Sequence, residues 1–124
     1  MTRAIEFSEL SKNSTKQKTV AAQPFFVLYL DKRLRLIKKI LLAKGGIDAL
    51  SIETMEIFKY AIKLESSNIV LIHNHPHGSL NPSDSDIDTT NNILNIANNL
   101  QICVIDHLII SEQGYYSFLE NHKL

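Results

Sequence analysis

The chain has 124 residues, 44% of them apolar, a formal net charge of zero and a single cysteine. That length suits one domain with a core of its own, and one cysteine excludes an internal disulfide framework and points to a reducing compartment. No apolar run approaches the roughly twenty residues of a membrane span, and the start MTRAIEFSEL lacks the apolar stretch of a signal peptide, so the expectation is a cytoplasmic protein with no membrane partner.

Residues 1–22 are polar and show no clear period, which predicts a loosely packed N-terminal arm. PFFVLYL (24–30) is a near-continuous apolar run of strand length, the pattern of a strand buried on both faces. A turn over Asp31–Arg33 leads into a second strand, LRLIKKILL (34–42), which GGID (45–48) breaks. Residues 1–63 hold twelve of the thirteen Lys/Arg and six of the thirteen Asp/Glu, a formal +6 that peaks at KRLRLIKK (32–39). That peak reads as the solvated face of a strand pair or, alternatively, as a patch for nucleic acid or an acidic partner; because the whole chain is neutral, the expectation for nucleic acid is weak binding or none.

Over 53–65 the period changes to that of a helix, with Ile57, Phe58, Ala61, Ile62 and Leu64 on one side and Glu56, Lys59 and Lys63 on the other. NIVLI (68–72) is a short apolar strand, and 84–100 is helical again, with Ile87, Thr90, Ile93, Ile96, Ala97 and Leu100 repeating at three and four. ICVIDHLII (102–110) and YYSFL (115–119) read as the last two strands, with Cys103 as a small core residue. The order β-β-α-β-α-β-β predicts an α/β domain: a mixed sheet with helices on its faces.

The stretch HNHPHGSLNPSDSD (73–86) joins the third strand to the second helix. His73 and His75 are two apart at a strand end, so both imidazoles project from one face. Pro76 keeps His75 extended. Ser83 and Asp86 fit an N-cap and a first-turn carboxylate. Each feature alone is commonplace. Together they bring two neutral imidazoles and a carboxylate to one spot, a set that suits zinc with one position left for water and also suits Fe(II). A nuclease of the H-N-H kind spreads its residues over a whole ββα unit. A zinc deaminase needs a cysteine pair and a glutamate two after the histidine, where this chain has one cysteine and His75.

His73, His75, Ser83 and Asp86 meet the pattern H-x-H-x7-S-x-x-D, the JAMM signature of MPN-type metalloproteases. VLIHNHPHG, PSDSDIDTT and IDHLIISEQGYYSF closely resemble the RadC family, from about residue 23 to the C-terminus. The resemblance implies an MPN/JAB-type domain over 23–124, with the layered α/β architecture also found in cytidine deaminases. It further implies one Zn(2+) per chain held by His73, His75 and Asp86, with Ser83 bonded to the bound water or to an oxyanion. The reaction implied is hydrolysis of an amide or isopeptide bond in a peptide or protein substrate.

The sequence departs from that pattern in places. Gln23 stands where relatives carry the glutamate that serves as general base, and an amide cannot take a proton. His77 replaces a serine and reads as an exposed loop residue. Met55 replaces an arginine, and Leu34 the asparagine of the strand turn. The pair Asp106–His107 is kept; mid-strand, it reads as a hydrogen-bonded pair behind the ligands or in the core. A non-catalytic binding module is the rival expectation, and a homodimer is compatible with the sequence.

Overall fold

The computed structural model describes residues 3–12, 25–43, 50–75 and 79–124. The elements run α1 (Arg3–Lys12), β1 (Phe25–Leu30), β2 (Leu36–Ala43), α2 (Leu50–Lys63), β3 (Asn68–Asn74), α3 (Asp84–Leu100), β4 (Cys103–Ser111) and β5 (Gly114–Ser117). The sheet order is β2-β1-β3-β4-β5. β1 pairs antiparallel with both β2 and β3, β3 and β4 are parallel, and β5 returns antiparallel to β4. The parallel pair needs a crossover, and α3 supplies it. The expected α/β order is present, with one helix added in front.

The central strands are apolar at successive positions because both sheet faces are covered. Val27, Tyr29, Ile69 and Leu71 pack on one face against Ile57, Phe58 and Ala61 of α2 and Ile93 and Ala97 of α3. The alternate residues Phe26, Leu28, Leu30, Val70, Ile72, Leu108 and Ile110 pack on the other face with Ala4 and Phe7 of α1. The buried Tyr29 satisfies its hydroxyl by donating to the Ile57 carbonyl at 2.8 Å. That bond ties β1 to α2.

One irregularity in the ladders sets which way the side chains of β4 face. In the β3–β4 ladder Ile69 pairs with Val104 but Val70 pairs with Asp106, so Ile105 is an extra residue. A bulge of one residue reverses the alternation beyond it. Val104 and the residues after the bulge therefore obey different parities, and His107 comes to lie on the α2/α3 face.

Three expectations are corrected. Residues 3–12 of the supposed loose arm form α1, whose Ala4, Phe7 and Ser8 are buried at helical spacing; the face is too short and too mixed to show as a period. Ile62 is exposed, because the buried stripe of α2 runs through Ile57, Phe58 and Ala61 and passes to one side of it. Cys103 is exposed at the first position of β4. The segment GGID lies outside the described residues. No helix among the described residues is long and apolar enough to cross a membrane.

Phe7 is 4% exposed, so Phe7→Ala should cost about 3 kcal/mol of stability through lost transfer energy and the cavity it leaves. Thermal and urea unfolding measure this, and an unchanged midpoint would return residues 3–12 to the status of an arm.

Candidate metal centre

β3 ends at the carboxyl edge of the parallel pair, the edge at which α3 begins, and open α/β sheets place their sites there. His73 follows Leu71 by two residues and shares its face, toward α3. The chain stays extended past Asn74, because the His75 N–H donates to the Ile110 carbonyl at 2.8 Å. The two imidazoles meet edge to face with centroids 4.8 Å apart.

α3 opens with a complete capping box. The Asp86 N–H donates to Ser83 Oγ at 3.0 Å, and the Ser83 N–H donates to Asp86 Oδ2 at 2.9 Å. The cap fixes where the carboxylate lies. Asp86 Oδ1 is 3.1 Å from His73 Nδ1, and Oδ2 is 3.3 Å from His75 Nε2. The ligand atoms of His73, His75 and Asp86 all lie within 4.8 Å of one another. Burial alone would raise the Asp86 carboxyl, but bonds from His73 and the Ser83 N–H outweigh it and hold the group well below the usual carboxylate range.

The hydrogen bonds also define the charge that fits between these groups. His75 Nδ1 lies 3.0 Å from the Ser79 carbonyl. A carbonyl only accepts, so Nδ1 carries the proton. In a neutral ring Nε2 then presents a lone pair to Asp86 Oδ2. Two acceptors facing each other at this distance need a cation or a further proton between them. The donor set, two imidazoles and a carboxylate, fits zinc.

The pair Asp106–His107 is split by the strand. Asp106 Oδ1 accepts from the backbone N–H of His107 at 2.7 Å and of Leu119 at 3.0 Å, and Oδ2 accepts from the Ser117 hydroxyl at 2.6 Å. It pins the C-terminal turn and lies outside the candidate metal group. His107 points the other way, stacked on Phe118 with centroids 4.5 Å apart, and its Nδ1 lies 2.6 Å from Thr90 Oγ1. Desolvation, with the neighbouring His73 adding to it, pushes the His107 imidazole down to about 3, so the ring is neutral.

Gln23 and His77 lie outside the described residues. Ser79 and Thr90 were not singled out from the sequence. Ser79 sits in a polar loop with no periodic signal, and Thr90, four residues after Asp86, looks like any residue of the helix's inner face.

A family model described as RadC-like JAB domain matches residues 2–124. A UPF0758 protein of Haemophilus influenzae is 43% identical over 97 residues, which are 78% of this chain and 44% of that protein. A UPF0758 protein of Flavobacterium johnsoniae is 38% identical over 98 residues, 79% of this chain and 43% of the relative. One from Staphylococcus haemolyticus is 38% identical over 106 residues, 86% of this chain and 46% of the relative. The chain thus spans less than half the length of these relatives, and their names state no activity.

His107 generates a pH dependence. Its folded pKa is depressed, so below the ordinary histidine value of about 6.5 the unfolded chain binds the proton and the folded one does not. The stability from this group is complete above pH 6.5 and is lost as pH falls toward about 3. Metal-free protein should therefore lose up to about 1.4 kcal/mol per pH unit over that window, and His107→Phe should flatten the profile. Unfolding midpoints measured from pH 7 to pH 4 for both proteins test this; parallel profiles would contradict it.

Proposed function

The chain belongs to the RadC-like JAB domain family, and on that footing we propose that it is a zinc-dependent hydrolase of amide or isopeptide bonds in a peptide or protein substrate. The observation that carries the reading is the convergence of His73, His75 and Asp86, with a protonated His75 Nδ1 leaving a lone pair opposite the carboxylate. These three residues would hold one zinc per chain. Bound there, zinc supplies Lewis-acid chemistry, polarising a carbonyl and lowering the pKa of water.

The other roles fall to the chain's own groups. The Ser83 hydroxyl accepts from the Asp86 N–H at 3.0 Å, which leaves its own hydrogen to donate to a water or to an oxyanion formed from the substrate carbonyl. The Ser79 carbonyl holds His75 in the tautomer that offers Nε2. Gln23 is assigned by sequence register alone to the general-base position. Loss of a base typically lowers rates by about 10²–10⁴, so the basal rate is low.

That same glutamine supports a second reading: a metal-holding domain that binds a protein partner without turning it over. The basic stretch does little to favour nucleic acid as that partner. Its Arg35 is bonded to Asp31 at 2.9 Å, and Lys39 lies over the Phe26 ring.

Purified protein should bind one zinc per chain. His73→Ala and Asp86→Asn should abolish binding, while Ser83→Ala keeps the metal and loses about 1 kcal/mol of stability with the cap. Wild-type protein that stays metal-free at saturating zinc would overturn the proposal. Gln23→Glu separates the two readings. It should raise hydrolysis of isopeptide-linked model substrates by about ten-fold or more if the site is an enzyme's; no hydrolysis by either zinc-loaded form would favour the binding module, and an equal, measurable rate in both would mean that a group other than residue 23 is the base.

A further inference from the structure

His107 has no part in the chemistry proposed above, yet its surroundings are unusual. It is 1% exposed. Two short bonds fix its tautomer. Thr90 Oγ1 lies 2.7 Å from the Asp86 carbonyl and 2.6 Å from His107 Nδ1. The hydroxyl has one hydrogen, and the carbonyl can only accept it. Thr90 therefore donates to Asp86, and His107 Nδ1–H donates to Thr90. The remaining ring nitrogen, Nε2, is a buried acceptor with no partner among the described residues.

An unpartnered buried acceptor is unfavourable, and a phenyl ring would make the same stack on Phe118 without it. What a phenyl ring could not do is donate to Thr90. The chain His107 Nδ1–H to Thr90 Oγ1–H to the Asp86 carbonyl ends on the backbone of a metal ligand. Its register in the sheet is equally pointed. His107 pairs with Leu71, two residues before the ligand His73 on the neighbouring strand. β3 thus carries one ligand, α3 another, and β4 reaches across beneath them to tie the helix's first turn to the sheet.

We propose that His107 is a positioning residue for the metal centre, acting through Thr90 on the first turn of α3 so that the Asp86 carboxylate faces His73 and His75. The proposal rests on the metal-site reading above. It gives the β4 bulge a purpose, because without the extra residue His107 would lie on the opposite face. It also gives the unpartnered Nε2 a reason, as the unavoidable second nitrogen of a ring kept for its first.

The test compares zinc affinity with metal-free stability in the full chain at pH 7, using a chromophoric chelator and thermal unfolding, with the cobalt(II) spectrum reporting ligand geometry. For His107→Phe the metal-free midpoint should equal or exceed that of the wild type, while zinc affinity falls by about ten-fold or more, the range for groups behind metal ligands. Thr90→Val should also weaken zinc by about ten-fold, and Thr90→Ser, which keeps the hydroxyl, should restore affinity to within about three-fold. A merely structural His107 would lose stability on substitution and leave the affinity and the cobalt spectrum of the folded fraction unchanged, and that result would overturn the proposal. If His107→Phe does not fold, the Thr90 pair decides: equal zinc affinities for Val and Ser refute it. Wild type that binds no zinc refutes the metal site itself, and this inference with it, whereas zinc-binding wild type with indifferent variants refutes this inference alone.

Discussion

One carboxylate serves two ends at the start of α3. Asp86 closes the capping box through Oδ2, which takes the Ser83 N–H at 2.9 Å, and the same group faces both imidazoles. A helix N-terminus needs acceptors for its free N–H groups and favours negative charge there. The local requirement of the helix thereby fixes the position of a charged group that burial alone would have made costly. The histidines of the candidate metal group are placed by a different force. β3 is buried on both faces and paired along both edges, so the direction of His73 at its end follows from strand parity in a register set by the β1 and β4 ladders, where His73 pairs with Phe25 and Ile109.

The bulge in β4 is the second constraint, and it divides labour between adjacent residues. Asp106 goes to the face of Ser117 and Leu119, where it collects three hydrogen bonds and holds the C-terminal turn. His107 goes to the face of α3 and Thr90. Neighbouring side chains in a strand point to opposite faces; the bulge decides which of the two faces α3 and the candidate metal group.

Most of the sheet was legible because the runs 24–30, 68–72 and 102–110 are too apolar and too short for anything but buried strands, and α3 was legible to its ends because its inner residues recur at three and four behind a Ser-x-x-Asp cap. The metal group was legible for a related reason, since strand parity and cap position are both short-range rules. What escaped depends on tertiary placement. α1 buries only Ala4, Phe7 and Ser8 among its visible side chains, which is too little pattern to separate a packed helix from a polar arm. The bulge at Ile105 leaves no mark in the letters, so Asp106 and His107 read as one pair when they serve different faces. The bond from His107 to Thr90 joins residues whose proximity only the fold creates, whereas His75 and Ser79 are only four apart, in a stretch with no periodic signal. Leu34 is a last example: the turn holds it at φ 65°, a left-handed conformation that asparagine adopts at lower cost, so its departure from the family pattern has a local strain that the sequence did not disclose.

The central claim is that two imidazoles and one carboxylate form the metal centre. X-ray absorption at the zinc edge of loaded protein tests it most directly. The account predicts nitrogen and oxygen neighbours at about 2.0–2.1 Å, outer-shell scattering from two imidazoles, and one imidazole fewer in any residual metal bound by His73→Ala. A sulfur neighbour at about 2.3 Å, which would implicate the exposed Cys103, or a spectrum unchanged by His73→Ala, would contradict it.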